Sequence, residues 1–267
     1  MNDFLCTESV LQSGLEPASL IIIRHVLEHI DDFRGFFDGI DRLATPDATL
    51  LIEVPDLSST IAKSIYSNIY HIHPCYFDVR TITALLNRNG WETKGSISVN
   101  TFGGSLLVWA RRKGRNPGLH DGPAFSFDEI ACAASCCATR AELDGFVSGW
   151  KAALRATRDF FDQLRERGAR VAGYGAAERT TALMGMAGLD GSHISLLFDR
   201  NHNLAGKLLP GSRVPIQPAD EIKEHRFEFL AIFAQSFEDE IVEEQRAFRE
   251  AGGKFISLRS GRPEVLK

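Results

Sequence analysis

Two α/β domains in series are what the 267-residue chain predicts, and three observations carry this. Apolar, β-branched runs alternate with helical segments. The stretch KGRNPGLHDGP, residues 113–123, combines Gly, Pro and charge with no apolar period. Beyond it the alternation restarts. The predicted domains are therefore residues 1–113 and 114–267, with the linker at their junction.

The elements follow in order. SLIIIRH (19–25) is a continuous apolar run, expected of a strand covered on both faces. HIDDFRGFFDGIDRLA repeats Ile30, Phe33, Phe37, Ile40 and Leu43 near helical spacing. TPDA makes a turn before TLLIEVPD, a second buried strand, and a polar helix runs to about residue 67. DVRTITALLNRNG is a helix with an Asn-Gly stop, followed by strands WETKGSISV and SLLVWARR around an NTFGG loop. In the second half a long helix spans about 125–167. ARVAGYGAAERTTALMGMAG then reads as strand, glycine turn and helix; HISLLFD, FEFLAIFAQ and KFISLR read as strands, and DEIVEEQRAFREAGG as a helix. Trp91, Trp109 and Trp150 are expected in or near cores, and Met184 and Met186 as gap-fillers.

Composition narrows the function. Hydrophobic residues at 44% and charged residues at 24% are ordinary for a globular protein. A formal net charge of -5 argues against a nucleic-acid or membrane-surface binder. No apolar run approaches the ~20 residues that span a bilayer, and MNDFLCTESV lacks the form of a signal peptide, so a cytoplasmic location is expected. Cys132, Cys136 and Cys137 fit no zinc spacing, and Cys6 with Cys75 would be ligands only if folding joined them.

Two motifs carry chemistry. In VAGYGAAERTT, Gly173 and Gly175 fall at a strand-to-helix turn, where phosphate can approach free N–H groups. Asp199 ends the next strand, near the place of a ribose-binding acid in a Rossmann fold. Glu178 stands where the fingerprint needs its third glycine, which argues against a nicotinamide-dependent oxidoreductase. A tight turn needed only for packing is the alternative. The second motif, NIYHIHPCYF, places Tyr70, His71 and His73 within four positions and Tyr76 three beyond. An imidazole with an ordinary pKa of about 6.5 can remove a proton beside a carbonyl, with a phenol steadying the enolate oxygen. His-x-His can equally present two imidazoles to a metal, with a third ligand from His25, Glu28 or His29 of RHVLEH. A loop of solvated histidines is the third reading, and the residues alone select none of them.

The ordered set IIIRHVLEHIDD, LLIEVPD, NIYHIHPCYF, TFGGSLLV, VAGYGAAERTTAL, LFDRNHNLAGKLLPGSRVPI and AQSFEDEI…GGKFISL resembles S-adenosylmethionine-dependent C-methyltransferases of nucleotide-linked deoxysugars, from about residue 19 to about 258. That resemblance implies a partial class I methyltransferase-type Rossmann domain followed by a second, Rossmann-like domain that binds the sugar nucleotide. It implies that a base removes the proton beside a keto group and that the carbanion takes a methyl from S-adenosylmethionine. It assigns His73 as base, with Tyr70 and His71 beside it, and no metal. It places His25 and Glu28 in the segment lining the cofactor cleft, and Gly173, Tyr174, Gly175, Asn201 and Lys207 in the sugar-nucleotide motifs.

Two departures are visible. The family's loop resembles Tyr-His-Glu-His, and its acid is Ile72 here, with Ser67 at another usually acidic place. The family's zinc cysteines and glycine-rich cofactor loop have no counterpart before Ser19. SLIIIRH is then expected at a sheet edge, covered by a second copy, by a separate chain, or by the first eighteen residues folded back; a truncated gene product is the alternative. A degenerate sugar-nucleotide-binding or assembly module is the competing functional expectation.

Overall fold

A computed structural model describes residues 7–101, 103–113 and 139–266. The expected linker and the Cys132, Cys136 and Cys137 cluster lie outside these residues, as does Cys6. Their Cα positions divide the chain into two compact units. Residues 1–63 and 72–140 form the first; residues 64–71 and 141–267 form the second. The short segment 64–71 thus groups with the distant second half rather than with its sequence neighbours.

The first unit is built on a four-stranded sheet. Its strands are β1 (Ala18–Arg24), β2 (Ala44–Pro55), β3 (Trp91–Val99) and β4 (Ser105–Arg112), in the order β1-β2-β4-β3. β1 runs parallel to β2, and the remaining pairs are antiparallel. The parallel pair needs a crossover, and α2 (Phe33–Leu43) supplies it. Asp32 starts α2 by accepting the Gly35 N–H at 3.0 Å, and Phe36, Phe37 and Ile40 turn inward at helical spacing. They meet Leu50, Ile52 and Val54 of β2 and Leu106 and Val108 of β4 in one core. α3 (Leu57–Ala62) follows β2, α4 (Val79–Arg88) adds Ile82 and Leu86, and Trp91 is fully buried with its indole N–H donated to Asp41 at 3.1 Å.

The TPDA turn is absent: β2 starts at Ala44 and runs through it. Ala18 pairs with Ala44, and a register irregularity before Leu20–Thr49 absorbs the extra residues. α1 (Thr7–Ser13) packs on α2, so these residues do not fold back over β1. β1 is an end strand of the sheet among the described residues, with Leu20 and Ile22 exposed at 52% and 54%.

The second unit has a six-stranded sheet, β5 (Val171–Tyr174), β6 (Leu197–Asp199), β7 (Ile216–Pro218), β8 (Phe229–Ile232), β9 (Lys254–Ser257) and β10 (Glu264–Val265). Their spatial order is β7-β6-β5-β8-β9-β10, parallel except for β10. This is the Rossmann order, whose chain direction reverses between β5 and β8. α5 (Arg140–Glu166) and α6 (Glu178–Ala187) pack Phe161, Leu164 and Met184 on one face of the sheet. On the other face Ile222 and Ile241, with Ile241 from α7 (Glu238–Glu244), meet Phe198 and Phe255. Among the described residues no helix is long and apolar enough to cross a membrane.

α4 begins directly after the histidine loop, and its start is held by a reciprocal cap. Asp78 accepts the Thr81 N–H at 2.7 Å while its own N–H is donated to Thr81 Oγ1 at 2.9 Å. Asp78→Ala should therefore lower stability by about 1 kcal/mol, read as a lower urea midpoint with an unchanged slope.

Candidate functional site

The site in the first unit grows from the carboxyl ends of its parallel strands. Glu53, next to last but one in β2, is 4% exposed and accepts Arg24 Nε at 2.6 Å and Thr101 Oγ1 at 3.0 Å. Its backbone carbonyl accepts the His25 N–H at 2.9 Å. His25 takes φ 51°, the left-handed region that few residues with a side chain enter. This turn sets the imidazole between two carboxylates, with Nδ1 3.4 Å from Glu28 Oε1 and Nε2 3.3 Å from Glu53 Oε1. The hydrogen bond to Glu28 raises the His25 pKa above its ordinary value, against the opposite pull of burial. For Glu53 burial pushes upward, but Arg24, Thr101 and His25 together outweigh it and hold the carboxyl below the usual range.

After His25 the chain makes a single 3-10 turn, Leu27–His29, that buries Leu27 and Glu28. His29 Nδ1 lies 2.7 Å from the Ile72 carbonyl. A carbonyl only accepts, so Nδ1 carries the proton and Nε2 keeps its lone pair. The His29 and His73 rings meet edge-on with centroids 4.9 Å apart, and Tyr76 stands 6.2 Å from His73. His73 is 6% exposed. Of the sequence candidates, the fold thus gathers His25, Glu28, His29 and His73 in this unit, and adds Glu53. The Ile72 side chain carries no charge, but its backbone carbonyl orients His29.

Tyr70 and His71 belong to the second unit, which has a cleft of its own. Segment 64–70 lines it with Tyr66 and Tyr70; α5 contributes Trp150 and α6 contributes Arg179. Gln235 and Arg259 enter from beyond the carboxyl ends of β8 and β9, the edge where open parallel sheets bind ligands. The Arg179 guanidinium lies over the Tyr70 ring, 5.6 Å from its centroid. Tyr66 packs on Phe146 at 5.1 Å and fills space that any Cβ at Gly149 or Gly261 would occupy. Arg259 is steered by Asp239 at 3.1 Å and by buried Glu238 at 3.4 Å. His71 is exposed, its ring 6.3 Å from that of Tyr70.

The glycine turn is occupied differently from a phosphate cradle. A Cβ on Gly173 would stand 2.6 Å from Leu197 Cδ2, and one on Gly175, at φ 98°, 3.0 Å from Ala234. Both glycines let β8 and β6 approach β5. The free Ala176 N–H after the turn is already taken by Asp199 Oδ2 at 2.7 Å. Tyr174 is buried, which raises its phenol pKa, and its oxygen accepts Arg200 Nε at 3.2 Å. Asn201 accepts the Asn203 N–H at 3.1 Å, and Lys207 is exposed. None of Gly173, Tyr174, Gly175, Asn201 and Lys207 is among the residues lining the cleft.

Residues 100–258 match the C-methyltransferase C-terminal domain, more than half of the chain, and residues 6–94 match a methyltransferase domain. The chain belongs to the C-methyltransferase family. Within that family C-methyltransferase NovU of Streptomyces niveus is 28% identical over 248 residues, covering 90% of this chain and 56% of NovU. The chain thus spans little more than half the length of this curated relative. Among solved structures, an O-methyltransferase family protein from Burkholderia thailandensis aligns with a TM-score of 0.32 at 16% identity, over 43% of this chain and 36% of that one. Magnesium protoporphyrin IX methyltransferase from Synechocystis PCC 6803 with bound SAH aligns with a TM-score of 0.28 at 20% identity, over 38% and 48%.

The first unit of this C-methyltransferase-family chain shows no glycine turn after β1 or β2 among the described residues. A nucleoside cofactor at parallel strand ends needs the close backbone approach that glycine allows. The segments after β1 and β2 run HVLEH and DLSST, without glycine. His25 and Glu28 direct ring nitrogen and carboxylate at each other.

Because the folded His25 pKa is raised, its stabilising contribution is full below the unfolded value of about 6.5 and fades as pH rises through the folded value. The melting temperature of the wild type should therefore exceed that of His25→Gln by more at about pH 6 than at about pH 9. A gap that widens toward alkaline pH would refute the assignment of the ion pairs.

Proposed function

We propose that this C-methyltransferase-family protein binds a nucleotide-linked keto sugar and removes the proton beside its carbonyl. The carrying observation is the cleft of the second unit. Tyr66, Tyr70 and Trp150 offer aromatic faces for a base or sugar, and Arg179 and Arg259 offer the planar donors that suit a diphosphate. His73 is the base in this reading. Its ring is buried and held edge-on by His29, so the imidazole is oriented before substrate arrives. The family resemblance assigns Tyr70 as the phenol that steadies the enolate oxygen, with His71 next to it in the chain. The proton passes from the sugar carbon to an imidazole nitrogen, leaving an enolate; S-adenosylmethionine, when bound, would supply the methyl group.

A second reading is favoured by the glycine-free segments after β1 and β2: a sugar-nucleotide-binding module without methyl transfer of its own. Calorimetry separates the two. Binding of S-adenosylmethionine to the purified chain supports the enzyme; binding of a thymidine-diphosphate sugar alone supports the module. Arg179→Ala should weaken the sugar nucleotide about tenfold or more, the scale of one lost charge-assisted hydrogen bond; unchanged affinity would remove the cleft from the site.

The base is tested without the methyl donor. A base at His73 should wash solvent deuterium into the carbon beside the sugar carbonyl, and His73→Gln should slow that exchange ~10²–10⁴-fold. Exchange at the wild-type rate in the variant would end the assignment.

A further inference from the structure

The first unit brings together a donor set that includes His73, the base of the proposed function, together with Glu28 and His29. A carboxylate oxygen of Glu28 and one ring nitrogen each from His29 and His73 all lie within 4.8 Å of one another. We propose that Glu28, His29 and His73 form a three-ligand site for a divalent transition-metal cation of the zinc class. The inference stands on this geometry and is independent of what the cleft of the second unit binds.

Three features make the cluster more than a neighbourhood of polar groups. The first is tautomer. The Ile72 carbonyl fixes the proton of His29 on Nδ1, so Nε2 presents a lone pair, and a second-shell carbonyl on the far ring nitrogen is how metal-binding imidazoles are held. The second is Glu28. It is 2% exposed, its Oε1 faces His25, and its Oε2 has no hydrogen-bond partner among the described residues. A buried carboxylate oxygen without a donor is costly, and a cation satisfies it. The third is position. The ligands come from a tight 3-10 turn and from the residue after the carbonyl that orients His29, so backbone geometry joins them.

The donor set also selects the ion. Two imidazoles and a carboxylate suit zinc and its neighbours, and leave a fourth coordination place open. Calcium and magnesium prefer oxygen ligands throughout. Bonds of about 2 Å at tetrahedral angles bring ligand atoms to about 3.3 Å apart, so the cluster contracts by ~1.5 Å on loading. The sequence pointed to His71 with His73 as the imidazole pair; the second imidazole that the fold supplies is His29.

Loading has a consequence for the loop. A cation takes a His73 lone pair, the group a base needs, so metal occupancy and proton abstraction by His73 exclude each other at a given nitrogen. Cation availability would then gate the chemistry.

Titration of the metal-stripped full chain with Co²⁺ tests the site. The expected result is one set of intense visible d–d bands, saturating at one ion per chain and lost on adding Zn²⁺. His29→Gln and His73→Gln should each abolish the bands, with circular dichroism confirming that the fold is kept; His202→Gln, in the second unit, should leave them unchanged. Absence of bands in the wild type, or bands of wild-type affinity in either His29→Gln or His73→Gln, overturns the proposal. Deuterium exchange is run separately in the chelator-treated protein, so a failed base and a failed metal site give different results.

Discussion

The carboxylate of Glu53, buried at the end of β2, is the constraint from which the first unit's site follows. A buried carboxylate must be paired, and here Arg24, Thr101 and the His25 ring all reach it. The Arg24 pairing fixes where β1 ends, and the His25 N–H bond to the Glu53 carbonyl bends the chain into the left-handed region one residue later. That bend aims the following turn, so Glu28 is driven inward and His29 reaches the Ile72 carbonyl. A register fixed by hydrogen bonds between two strands thereby sets the place of three side chains that lie beyond either strand. Backbone strain at His25 is retained because the two flanking carboxylates over-determine it.

The second unit shows the opposite economy. Its strand order and glycine turn are those of a Rossmann domain, yet the N–H that would meet a phosphate is satisfied from within by Asp199. Asp199 also accepts the Asn201 N–H at 2.8 Å, so one carboxylate locks the turn to the next loop. With the turn closed in this way, the concave surface lies to its side, lined by α5, α6 and segment 64–70. The glycines serve sheet packing there, because neighbouring side chains and backbone occupy the volume of their missing Cβ atoms.

Segment 64–71 is where chain order and spatial order part. It interrupts the first unit in sequence but groups with the second, and His73 follows only two residues after its end. The loop therefore carries Tyr70 into the second unit and the buried His73 into the first.

By itself the sequence determined the α/β class, most element positions and the existence of a histidine cluster, because apolar runs and helical spacing are local signals. It missed β7 and β10, three and two residues long, which hold no periodicity to detect. It took TPDA for a turn, since Pro and Asp favour one locally, while pairing with β1 kept it extended. Arg179 and Arg259, 80 residues apart, share a cleft only because α6 and the end of β9 border the same side of the second unit's sheet. The tertiary structure alone decided that His29 is the imidazole beside His73, since that contact spans 44 positions and depends on a backbone carbonyl that no pattern of side chains reveals.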